Sequence, residues 1–250
     1  SEIVVIGAGM GGLASANLLA KQGFSVILIE SHHSAGGCAG YYKTKEGFYD
    51  VGATTLSGVK GNRPVSDLAA KLGVDFKLKK VDPGIIVKLN GKRFCFYSDL
   101  EKLSAEFQSV FGVHCESTLK LWLKLEEDLW QFLNHEHSFP RFNLFKLPLR
   151  LLRYPSLFFK SFYSFMPKDM RENKELIQMI DQVLLISTQQ TSKTCPAFMG
   201  IIALMYPLDT YSSELGMKGI VSTLEKNFIE LGGEILYKCE CQKIQKVNNI

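Results

Sequence analysis

A run of four apolar residues, Ile3–Ile6, leads straight into Gly7-Ala8-Gly9-Met10-Gly11-Gly12, and this junction constrains the chain more than any other stretch. Glycine at positions 7, 9 and 12 is the G-x-G-x-x-G spacing of a strand turning into a helix. Gly7 allows the tight turn, Gly9 lets the backbone approach a pyrophosphate, and Gly12 lets the helix lie close to the sheet, with Gly11 inside the same turn. The ligand's negative charge would rest on the N–H groups at the helix start. Gly23 ends that helix, residues 26–29 form a second apolar strand, and Glu30 follows eighteen residues after Gly12. A carboxylate there accepts hydrogen bonds from both hydroxyls of an adenosine ribose and repels a phosphorylated ribose. Strand, glycine turn, helix, strand and acid in this order predict a dinucleotide-binding βαβ unit.

At 250 residues and 46% hydrophobic content, the chain can bury the core of one large domain or two ordinary ones. Six scattered cysteines, with no secretory signal before the first strand, lead to the expectation of a reducing compartment, cytoplasmic or organellar. The net charge of +4 is uneven. Residues 138–168 hold six Lys/Arg and no Asp or Glu, so the rest of the chain has 23 basic against 25 acidic side chains. A slightly acidic remainder argues against nucleic-acid binding. There is no C-x-x-C and no G-x-S-x-G, and His32-His33 lies in a loop without metal-ligand company, so neither a metal site nor a nucleophile with its base is expected.

Beyond Glu30, Gly36-Gly37 makes a loop able to pass close to a ligand, and Lys45-Glu46-Gly47 turns a hairpin ahead of Phe48-Tyr49-Asp50-Val51-Gly52. Paired glycines six residues past the ribose acid, then G-F-x-D-x-G, resemble the flavoprotein group of phytoene desaturases, carotenoid isomerases, retinol saturases and amine oxidases. The wording of residues 36–42, GGCAGYY, is closer to the isomerase and saturase branch. The resemblance implies FAD as cofactor, with Gly36 and Gly37 along the pyrophosphate and ribityl and the segment around Asp50 and Gly52 near the isoalloxazine. Cys38 stands where the group often has arginine.

Residues 64–73 read as a short helix, and Asn90-Gly91 is a type I′ turn signal for a hairpin that opens a second, substrate-facing domain. Ser98 and Asp99 can cap the next helix, which Gly112 breaks. Residues 116–133 form an amphipathic helix, with Trp122, Leu125, Leu129, Phe132 and Leu133 on one face and Lys120, Lys124, Glu127 and Gln131 on another. Residues 173–186 and 196–205 read as two further helices that could wall a long pocket. Ahead of them, residues 139–168 interleave Phe, Leu and Tyr with Lys and Arg, broken by Pro148 and Pro155. This stretch is too interrupted to span a bilayer but suits its interface, giving peripheral membrane contact. The bland reading is a cover over a cavity or a helix seam, with the cations snorkelling to water.

Residues 217–231 return to a clean helix ended by Gly232-Gly233, followed by a strand over 234–238. This is similar to the group's return into its nucleotide domain, although only Gly216 remains of the usual glycine pair. By the same resemblance the backbone at Cys241 would contact adenine, and Cys239 and Cys241 on one strand would face opposite ways. The expected fold class is α/β: an FAD/NAD(P)-binding Rossmann-like domain over residues 1–62 and 215–250, with an inserted α+β substrate domain over 63–214. The resemblance further implies the N-terminal part of a larger flavoprotein acting on a long apolar polyene, by desaturation, isomerisation or saturation. An amine oxidase and a non-catalytic flavoprotein fragment that binds lipid surfaces are the competing readings.

Overall fold

The computed structural model describes residues 2–61, 63–135 and 149–245. They divide into two compact units, Ser1–Leu56 with Val65–Lys80 and Tyr211–Ile250, and Ser57–Pro64 with Val81–Thr210.

The first unit opens with β1 (Ile3–Ile6), α1 (Met10–Lys21) and β2 (Val26–Glu30). The two strands run parallel, from Ile3 opposite Val26 to Ile6 opposite Ile29. Gly7 and Gly23, at the two ends of the crossover, both take φ +92°, where a side chain would be strained. The buried side of α1 is Leu13, Ala16, Asn17 and Ala20, and Leu19 is only partly covered. Next come the antiparallel hairpin β3 (Tyr41–Lys43) and β4 (Phe48–Asp50), then α2 (Pro64–Leu72) and β5 (Leu78–Lys80). Leu72 and Phe76 are buried in the same core as Leu13 and Leu28, so residues 65–80, assigned by the sequence reading to the second domain, lie in the first unit.

In the second unit, β6 (Ile85–Leu89) and β7 (Lys92–Phe96) pair antiparallel about Asn90 and Gly91, whose φ values of +49° and +75° match the turn their sequence demands. Helix α3 (Leu100–Phe111) starts where Asp99 accepts a 2.9 Å bond from the Lys102 N–H and ends at left-handed Gly112. Helix α4 (Glu116–His135) buries Leu119, Trp122, Leu125, Leu129 and Phe132. Trp122 packs its ring 5.1 Å from that of Phe162, so it is a core residue. Four short turns follow, α5 (Leu149–Leu152), α6 (Ser156–Phe159), α7 (Phe162–Phe165) and α8 (Lys168–Glu172). Helix α9 (Lys174–Thr188) is capped by Asn173, and α10 (Ala197–Met205) is apolar and buried along most of its length. Residues 139–148 of the basic aromatic stretch lie outside the described residues. No helix among the described residues is long and apolar enough to cross a membrane.

The chain re-enters the first unit through β8 (Tyr211–Ser213), antiparallel to β5, then α11 (Met217–Glu230) and β9 (Glu234–Tyr237). Strand β9 lies parallel to β2, giving a sheet in the order β1-β2-β9. Helices α1 and α11 are tied by fully buried Asn17. Its amide donates to the carbonyls of Leu13 and Leu224 and its oxygen accepts from Asn227 at 2.7 Å.

Candidate dinucleotide-binding site

The turn between β1 and α1 sets its own geometry. A Cβ on Gly12 would lie 1.9 Å from the Gly7 carbonyl oxygen, so the first turn of α1 packs directly on the strand exit and only glycine fits. Gly9 and Gly11 have nothing within 4 Å of a Cβ position and face open space. Helix α1 begins at Gly9 with no side-chain cap and no acid in its first turn, which leaves its N–H donors and positive dipole end to a phosphate.

Glu30 closes the turn from the end of β2. It is 8% exposed, and its Oε2 accepts a 2.7 Å bond from the Ala8 N–H while Oε1 accepts from His32 N at 2.9 Å and Ser31 Oγ at 3.2 Å. Burial pushes the carboxyl up, but the backbone bonds from His32 and Ala8 and the Ser31 hydroxyl together hold it below its ordinary value. The anion is therefore fixed beside the glycine turn, and three of its roughly four acceptor sites are filled, leaving one on Oε2 open to a ribose hydroxyl.

The paired glycines come to the same place. Gly36 bridges Gly9 in parallel and its N–H donates to the Ala8 carbonyl at 2.8 Å, while a Cβ on Gly37 would sit 3.2 Å from Gly9 Cα. Their φ values of +118° and +57° need glycine as well. Gly52 joins through the next layer of backbone, since a Cβ there would lie 2.7 Å from the Cys38 carbonyl oxygen, which accepts from Ala53 N. Gly7, Gly9, Gly12, Glu30, Gly36 and Gly37 thus come together around the turn, with Gly52 linked to it through Cys38 and Gly11 facing open space. Cys241 lies beyond the strand that the sequence reading gave it. Lys238 at φ +53° ends β9, so Cys239 and Cys241 are not on a strand, and Cys241 is exposed. It is Cys239 whose N–H donates to the Glu30 carbonyl, at 2.9 Å.

Two arrangements escape a linear reading. Asp50 caps α11 from far away in sequence, its Oδ1 accepting the Met217 N–H at 2.9 Å beside Gly216 at φ +62°. The lone glycine before the helix is what admits that carboxylate, because a Cβ on Gly216 would lie 2.9 Å from Asp50 Oδ1. In the second unit, buried Arg63 bridges Glu126 at 2.5 Å and Asp209 at 3.0 Å, while Asp209 Oδ2 also accepts the N–H groups of Gly58, Val59 and Lys60. Glu126 lies four residues after Trp122 and three before Leu129, an acid on the apolar stripe of α4, and that misplaced charge was a legible signal.

Residues 5–72 match the family described as "NAD(P)-binding Rossmann-like domain". A prolycopene isomerase of Daucus carota is 24% identical, covering 97% of this chain and 41% of its own length. A 4,4'-diapolycopene oxygenase of Methylomonas sp is 28% identical, covering 98% of this chain and 50% of its own. The chain spans about half the length of the curated relatives it matches. Among solved structures, an oxidoreductase from Methanosarcina mazei superposes with a TM-score of 0.64 at 21% identity, over 99% of this chain and 54% of its own, which shows a shared fold. Residues 5–72 thus match an NAD(P)-binding Rossmann-like domain, and the chain is similar to proteins named as prolycopene isomerase, diapolycopene oxygenase and phytoene desaturase.

Proposed function

We propose that the chain carries the adenine-dinucleotide cradle of an FAD-dependent oxidoreductase acting on a long apolar polyene of the carotenoid type. The observation that carries this reading is similarity along nearly the whole chain to two proteins whose names state lycopene-type compounds, the prolycopene isomerase and the diapolycopene oxygenase. The residues present suit the cofactor: glycines gathered around the turn with open space over Gly9 and Gly11, an uncapped helix start, and an ionised carboxylate at the end of the neighbouring strand.

In this reading the N–H groups of the first turn of α1 bind the pyrophosphate, and Glu30 accepts a ribose hydroxyl while Ala8 and His32 hold its carboxylate in place. Gly36 and Gly37 let the backbone pass close to the ribityl, and Gly52 keeps the next segment against that loop. When bound, the flavin supplies hydride exchange with the substrate at N5, and the protein contributes binding, orientation and exclusion of water.

The test presents cis-lycopene or a less unsaturated precursor, in detergent micelles, to the whole protein loaded with FAD, under anaerobic and aerobic conditions. The expected result is a change in the polyene spectrum that requires the flavin. A flavin that is reduced by amines and leaves every polyene unchanged would contradict the proposal.

A further inference from the structure

We infer that residues 149–160 of the second unit form a docking surface for an anionic lipid bilayer. Two short turns there are anchored by buried side chains and leave other apolar ones exposed. Leu151 and Leu157 are fully buried, and the Phe158 ring stacks on Phe198 at 5.9 Å. Behind them, the Lys160 carbonyl accepts the Ala197 N–H at 3.0 Å and the Phe162 N–H donates to Cys195 at 2.8 Å. From that fixed base Leu149, Leu152 and Phe159 stand out at 80%, 53% and 88% exposure. Three large apolar side chains, among them the most exposed ones of the described residues, are turned to water within eleven residues.

Charge says what covers them. Residues 149–168 contain Arg150, Arg153, Lys160 and Lys168 and no acid. Arg150 is held by Asp128 at 3.3 Å and Lys168 faces Glu172 at 3.8 Å. Arg153 and Lys160 are exposed and have no acidic partner among the described residues. Both flank the exposed apolar side chains in sequence. Leucine and phenylalanine tips reaching the acyl boundary, with cations level with the head groups, are what an anionic membrane surface accommodates. A neutral protein groove would satisfy the apolar part and leave the acid-free charge unmatched.

Flotation of the protein with vesicles of phosphatidylcholine, or of phosphatidylcholine mixed with phosphatidylglycerol, tests this without cofactor or turnover, so its outcome is read separately from the FAD assignment. The expected result is co-flotation with the mixed vesicles at low salt and release at high salt. Arg153→Glu and Lys160→Glu should each weaken partitioning at least about fivefold, and Phe159→Ser about tenfold, with Phe159→Leu restoring most of it. All of these positions are exposed, so thermal melting should stay put. No flotation at low salt, equal flotation on neutral vesicles, or variants that float like the parent would overturn the inference.

Discussion

Gly11 and Gly12 are neighbours with opposite demands on space. A methyl group on Gly12 meets the Gly7 carbonyl, so Gly12→Ala should destabilise the first unit by about 1–3 kcal/mol in denaturant unfolding and remove dinucleotide binding. Gly11→Ala meets nothing and adds helix propensity, so it should stabilise by up to about 1 kcal/mol while narrowing the open mouth. Unfolding curves that place the two variants together would contradict the packing described. Glu30 provides a pH test. Its carboxyl is held below its ordinary value of 4.5, so its contribution is complete above that pH and disappears as pH falls through the depressed value. The stability gap between the parent and Glu30→Gln should therefore be constant near neutrality and shrink in acid. A gap that widens as pH drops would refute the hydrogen bonding assigned to Glu30. Spacing alone located Glu30, but not that Ala8 and His32 fix its carboxylate, because the folded return of the chain creates those contacts.

Elements whose stop signals are local were legible, and those defined by distant partners were not. Ile3–Ile6, the Asn90-Gly91 hairpin and the Asp99 cap follow from residues adjacent to the elements they shape. The N-terminus of α11 does not. Its cap, Asp50, lies on the hairpin strand β4, and nothing near Met217 in sequence announces it. Asp50→Ala should cost about 1 kcal/mol and fray the start of α11, seen as faster amide exchange there, whereas Asp50→Asn keeps an acceptor and should cost less. Equal losses in the two variants would mean that the charge, through the helix dipole, matters more than the hydrogen bond. The boundary near residue 62 was missed for a related reason. Leu72 and Phe76 look like any amphipathic helix and its exit until the core they enter is known.

At the scale of the molecule, each unit has its own core, and the chain crosses between them more than once. The α/β character of the first unit was readable because one short stretch carries strand, turn, helix, strand and acid in fixed order. The helical second unit was readable as elements only, since amphipathic stripes say which face is buried and not against what. Residues 149–168 of the basic aromatic stretch and the Arg63 cluster belong to that unit, and only the structure separates exposed Phe159 from buried Leu157 and places Arg63 against Glu126. The proposed function requires an adenine dinucleotide with an unphosphorylated ribose at the glycine turn beside Glu30. The most direct measurement is a titration of the protein with FAD, followed by flavin fluorescence, in competition with ADP and with 2′-phospho-ADP. Saturable binding is predicted, with ADP displacing FAD and the 2′-phosphorylated compound at least about tenfold weaker because its charge meets the Glu30 carboxylate. No binding at excess FAD, or equal competition by the two nucleotides, would contradict it.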